Sequence, residues 1–124
     1  MSSSTLFRGC RFVAAVLLVL AAGYHVVQAI GGAGSVVRHW AFVPINAGLA
    51  ALLVWRPRWA FWPASALTVQ QMSSHGLDLA RSFNGTTPLD WGSLAVCLFF
   101  PTLDTILFIE RQEEPAEADA DAKT

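Results

Sequence analysis

The sequence predicts an all-α integral membrane protein, an antiparallel up-down bundle of four transmembrane helices over about 12–30, 38–55, 59–79 and 90–110. Three observations carry this. Hydrophobic residues make up 54% of the 124-residue chain and charged residues only 14%, against about 25% charged in ordinary soluble domains. Four charge-poor apolar runs recur along the chain, and the turn residues lie between them. A soluble domain of this size has too much surface for so few charges to cover. One domain, residues 12–110, therefore lies between a short N-terminal segment (1–11) and an acidic tail (111–124).

The first run, residues 12–30, holds 19 residues without a charge. A bilayer core of about 30 Å takes about 20 helical residues. Arg8 and Arg11 followed by an apolar run and Ala21-Ala22-Gly23 resemble a secretory signal peptide. The apolar character continues through Val26, Val27 and Ile30, so the segment reads as a retained helix. Gly31-Gly32-Ala33-Gly34-Ser35 then forms a flexible loop. The second run, 40–55, is bracketed by Arg38 and Arg56 and reaches spanning length by extending into its flanks. Arg56-Pro57-Arg58 is a tight link to the third run, 59–77. Asn84-Gly85 signals a turn, and Asn84-Gly85-Thr86 matches a glycosylation sequon by chance spacing. Thr87-Pro88-Leu89-Asp90 reads as a helix start with Thr87 as N-cap and Asp90 as the acid of a capping box. The fourth run, 91–109, contains one charge, Asp104. None of the runs alternates as barrel strands do.

Basic residues set the orientation. Arg8 and Arg11, Arg56 and Arg58, and Arg111 and Lys123 lie on one side of the predicted spans. Arg38 and Arg81 lie on the other. Both termini are thus expected in the cytoplasm. The aromatic residues agree, with Tyr24, Trp40 and Trp91 at the outer interface and Trp55, Trp59 and Trp62 at the inner one. Seven arginines to one lysine, with abundant alanine, suggest a bacterial inner membrane. The segment from Glu110 carries a net −4 against +3 for residues 1–109. Its acidic residues alternate with alanine and present no apolar face, so a solvated, disordered tail is expected. No basic patch with interleaved aromatics supports nucleic-acid binding. Cys10 and Cys97 have no metal or redox spacing and read as small apolar side chains.

Polar groups inside membrane helices are costly, so each is a candidate for function. His25 and Gln28 lie near the outer end of the first helix. His39 and Asn46 lie two turns apart on the second. Thr68, Gln71, His75 and Asp78 form one stripe along the third. All three histidines fall near the same end of the predicted bundle. They could ligate a transition metal through His25, His39 and His75, or a haem iron from two sides through His25 and His75, with Gln71 or Asp78 orienting an imidazole. His25, Gln28, Asn46, Gln71, His75 and Asp78 could instead recognise a polar head group, such as a quinone or a lipid. The same residues could also be interhelical hydrogen bonds that need no ligand. Asp104 lies about 20 Å into the fourth helix by rise per residue. It could serve a proton step, pair with Arg111 or Arg58, or contact a partner subunit. Pro101 frees the carbonyl of Cys97 and favours a kink.

No catalytic constellation emerges. Ser74 and His75 are sequence neighbours and point apart on a helix. Asp78 and Asp104 fall at opposite ends of the bilayer. Ala47/Ala51 and Ala60/Ala64 would let helices approach closely. The sequence therefore favours a non-catalytic accessory or scaffold subunit of a larger membrane assembly, whose partners are the bilayer and other membrane subunits or a second copy. A ligand- or cofactor-binding bundle, and a small homo-oligomeric transporter, are the alternatives.

Overall fold

The computed structural model describes residues 3–32, 34–55, 57–85 and 87–121. Among them it is all helical: α1 (Ser3–Ile30), α2 (Val36–Trp55), a single 3₁₀ turn (Arg58–Ala60), α3 (Phe61–Phe83) and α4 (Trp91–Asp121). The chain divides into two compact units, Met1–Ala60 and Phe61–Thr124. Each is described by itself.

In the first unit α1 and α2 pack as a hairpin. α1 buries Arg11, Ala14, Ala15, Leu18, Ala22 and Ala29, with His25 half-buried between the last two. α2 buries Phe42, Asn46, Leu49, Ala50 and Leu53. Steps of three and four, widened by Ala14 and Ala50, keep one stripe of each helix turned inward, as in side-by-side helix packing. Alanines at alternate levels of α1 let the two backbones approach. Gly32 and Gly34 adopt φ of 68° and 58°, a left-handed conformation that glycine adopts without a Cβ clash, and so the chain reverses there. Ser35 caps α2: its hydroxyl accepts from the N–H of Arg38 at 3.4 Å and its carbonyl from that of His39 at 3.1 Å. This cap starts α2 at Val36, ahead of the expected 38.

In the second unit α3 and α4 form another antiparallel hairpin. α4 buries Ser93, Phe100, Leu103, Leu107 and Glu110, again in steps that keep one face inward. α3 buries Ala64, Leu67, Thr68, Gln71 and Ser82. The turn between them carries Gly85 at φ 71°, whose N–H donates to the Ser82 carbonyl at 3.1 Å.

Three helices are long and apolar enough to cross a membrane: Thr5–Ile30, Val36–Trp55 and Trp91–Gln112. α3 is not among them, so length and apolarity bear out three of the four expected spans. Its first 17 residues carry no charge, yet Gln70, Gln71, Ser73, Ser74 and His75 make its second half too polar. Freedom from charge is a weaker property than apolarity. The ends differ as well. α1 begins at Ser3, so most of the expected N-terminal segment is helical. α4 continues to Asp121, past the expected end at 110. Alanine and glutamate on either side of Pro115 are strong helix formers. Residues 122–124 lie outside the described residues.

Large apolar side chains cover the outside. Phe12, Leu20, Val27, Trp55, Phe83 and Leu98 are each more than 60% exposed.

Candidate functional site

The second unit contains a ladder of hydrogen bonds between α3 and α4. Ser65 donates its hydroxyl to Asp104 Oδ1 at 3.0 Å. Thr68 shares its one hydroxyl hydrogen between the carbonyls of Ala64, at 3.0 Å, and Phe100, at a longer 3.4 Å. Nδ1 of His75 lies 2.9 Å from Ser93 Oγ. The N–H of Asp90 donates to Ser82 Oγ at 3.3 Å. Each step forward on α3 is matched by a step back on α4, as antiparallel packing requires.

The far end of the ladder has a definite proton order. Ser93 donates its backbone N–H to Asp90 Oδ1 at 3.0 Å and its hydroxyl to Asp90 Oδ2 at 2.7 Å. A serine hydroxyl has one hydrogen. The shorter, charge-assisted bond to the carboxylate takes it. Nδ1 of His75 is therefore the donor to Ser93 Oγ, which fixes that ring's hydrogen on Nδ1. The backbone N–H of Ser93, followed by its hydroxyl, holds the Asp90 carboxyl below its ordinary range, and nearby His75 adds to this.

Asp90 is the N-cap of α4, since it also accepts the N–H of Leu94 at its carbonyl, 3.0 Å away. This corrects the expected assignment of Thr87 as cap and Asp90 as capping-box acid. Thr87 instead meets Ser82, Oγ1 to Oγ at 3.3 Å. Pro88 and Leu89 precede the helix. A Cβ on Gly92 would lie 3.3 Å from Asp90 Oδ1, so glycine there leaves room for the capping carboxylate.

This order is not that of a hydrolytic triad. In a triad the histidine takes the serine proton. Here that proton points at the acid, and Ser93 is 1% exposed.

The first unit brings two of the three histidines together. Nδ1 of His25 lies 2.9 Å from Nδ1 of His39. Phe42 stacks on the His25 ring at 5.2 Å between centroids, and Tyr24 meets both imidazoles edge-on. Arg38 lies with its guanidinium carbon 5.8 Å from the Phe42 ring centre.

The remaining candidates are placed as follows. Gln28 is half-buried on α1. Asn46 is buried and donates Nδ2 to the Phe42 carbonyl of its own helix at 2.8 Å. Gln71 is 5% exposed, and its Oε1 is buried without a hydrogen-bond partner. Asp78 is exposed and accepts from Arg81 at 3.1 Å, so it leaves the inward stripe that Thr68 and Gln71 keep. Asp104 is half-buried against Ser65. Arg111, expected as its partner, places its guanidinium over the rings of Phe61 and Trp62 at 5.7 and 5.2 Å, a cation–π arrangement. Among the described residues, no group of three or more His, Cys, Asp or Glu side chains could hold a metal ion.

Sequence reasoning missed Ser65, Ser82, Ser93 and the capping role of Asp90. The Asp-x-x-Ser spacing of Asp90 and Ser93 is a legible cap signal. The pairing of Ser93 with His75 needs the α3–α4 register, which no local pattern carries. No protein-family model, curated protein or solved structure matches the chain.

Proposed function

We propose that this chain is a small integral protein of the bacterial inner membrane, a non-catalytic accessory or scaffold subunit with both termini in the cytoplasm. One observation carries the reading: Ser65, Thr68, His75 and His25 each bond across their hairpin to the facing helix, while large apolar side chains are exposed. Ser65–Asp104, Thr68–Phe100, His75–Ser93 and His25–His39 are the hydrogen bonds by which membrane helices associate, each worth about 0.6–2 kcal/mol.

The same bonds support a four-crossing topology despite the polarity of α3. α3 has 23 residues, about 34 Å at 1.5 Å each. It runs antiparallel to α4 over the length of an apolar span. Ser65, Thr68 and His75 meet partners on α4, and Ser73 and Ser74 bond to carbonyls of their own helix, so these groups need not face lipid alone. In this reading α3 crosses with part of its polarity satisfied by α4 and part by its own backbone.

A second reading, recognition of a polar head group, draws on Gln71. A buried amide oxygen without a donor suits a ligand that brings an N–H or O–H.

Native electrophoresis of solubilised source membranes tests the accessory reading. A species containing other subunits, dissociated by harsh detergent, is the expected result. The 13.4 kDa chain migrating alone or as a homo-oligomer in the mildest detergents would overturn it.

A further inference from the structure

We propose that Nδ1 of His25 and Nδ1 of His39 form a two-nitrogen chelate for a divalent transition-metal ion of tetragonal geometry, Cu(II) first and Ni(II) next. The proposal goes beyond the accessory reading and does not depend on it.

The separation of the two nitrogens, that of a hydrogen bond in the metal-free chain, also matches one metal class. Imidazole nitrogens bind such ions at about 2.0–2.1 Å. Two nitrogens 2.9 Å apart then subtend about 90° at the metal, the cis angle of a square plane. A tetrahedral ion such as Zn(II) would need them about 3.3–3.4 Å apart at the same bond length. Square-planar or tetragonal nitrogen and oxygen sites are those of Cu(II) and Ni(II), and Cu(II) leads the affinity order for such donors.

The pair is also brought together before any ion arrives, and binding then turns each Nδ1 lone pair off the N–N line toward the metal. The two rings come from different helices on either side of the loop from Gly31 to Ser35. His39 lies in the first turn of α2, where its backbone N–H bonds to the Ser35 carbonyl. The His25 ring lies nearly parallel to Phe42, at 22°, and Tyr24 braces both imidazoles. Both histidines are half-buried, which leaves a side open for water to complete the coordination plane. Arg38 is the neighbouring cation on α2, and its guanidinium is directed over Phe42.

Without metal, one hydrogen lies between the two nitrogens, since one ring must donate to the other. Metal binding requires both Nδ1 lone pairs. In a neutral pair that hydrogen moves to Nε2 of the ring that carried it, and no proton is released. A singly protonated pair releases one proton.

Electron paramagnetic resonance of Cu(II) added to the purified, untagged chain in detergent tests this. The expected result is one Cu(II) per chain with superhyperfine splitting from two nitrogens. Labelling histidine with ¹⁵N should change that splitting in the unmutated protein, so the assignment does not rest on variants that misfold. His25→Gln and His39→Gln should each reduce the pattern to one nitrogen or abolish stoichiometric binding. His75→Gln should leave it intact. Absence of a stoichiometric two-nitrogen signal in the unmutated protein would overturn the proposal, as would its loss in His75→Gln or its survival in His25→Gln and His39→Gln.

Discussion

Nδ1 of His75 and Oγ of Ser93 meet at 2.9 Å across the α3–α4 hairpin, on residues 18 positions apart in sequence. Ser93 donates its own hydroxyl hydrogen to Asp90 in a hydrogen bond, and so one hydroxyl ties the polar half of α3 to the capped start of α4. The bond is buried on the Ser93 side, and its removal has a readable consequence.

Ser93→Ala is expected to lower stability by about 1–3 kcal/mol, the cost of leaving a buried polar group without its partner. Ser73→Ala is the control. Ser73 is exposed and bonds only to the Val69 carbonyl of its own helix, so little change is expected. Thermal unfolding in detergent compares the two. Equal midpoints would show that the His75–Ser93 bond contributes nothing.

The Asp90 cap makes a prediction about acid. Its carboxyl lies below the ordinary value of 3.8 in the folded chain. A group with a depressed folded pKa stabilises fully above its unfolded value and loses that contribution as pH falls through the folded one. Stability should therefore decline below about pH 4 in the unmutated protein. Asp90→Asn should flatten that decline, because an amide caps without titrating. Added salt should weaken the effect, since Asp90 is exposed. Parallel acid limbs for the two proteins would contradict this.

At the other end of the ladder, Ser65→Ala should be more harmful than Asp104→Asn. The alanine variant takes the Ser65 hydroxyl donor from Asp104. The asparagine variant keeps an oxygen for Ser65 and lowers the cost of burying a charge. A difference of about 1–2 kcal/mol in the stated order is expected, at the scale of hydrogen bonds between membrane helices. Urea or detergent-exchange unfolding would measure it, and the reverse order would show that Asp104 does not depend on Ser65.

Topology is checked with single cysteines in a background lacking Cys10 and Cys97. An impermeant reagent added outside should label cysteines at Gly34 and Asn84 and spare those at Ser3 and Ala118. Labelling at Ala118 would place the C-terminus outside and remove α3 as a crossing helix.

The amino-acid sequence alone settled the helical class and three helices of spanning character. These depend on composition and run length, which are local and additive properties. The apolar runs placed α1, α2 and α4 to within a few residues at their loop ends, where Ser35 and Asp90 capped the helices closer than run length could tell. The continuation of α4 past residue 110 was hidden because acidic, alanine-rich sequence reads equally as solvated coil or as the end of an established helix. His25, His39 and His75 were legible as unusual residues. Tertiary structure alone decided their partners, joining His25 to His39, His75 to Ser93, and Ser65 to Asp104. These contacts depend on which face of each helix turns inward and on the register of one helix against the next. A shift of one turn, about 5.4 Å, would exchange every partner while leaving the hydropathy of each segment unchanged.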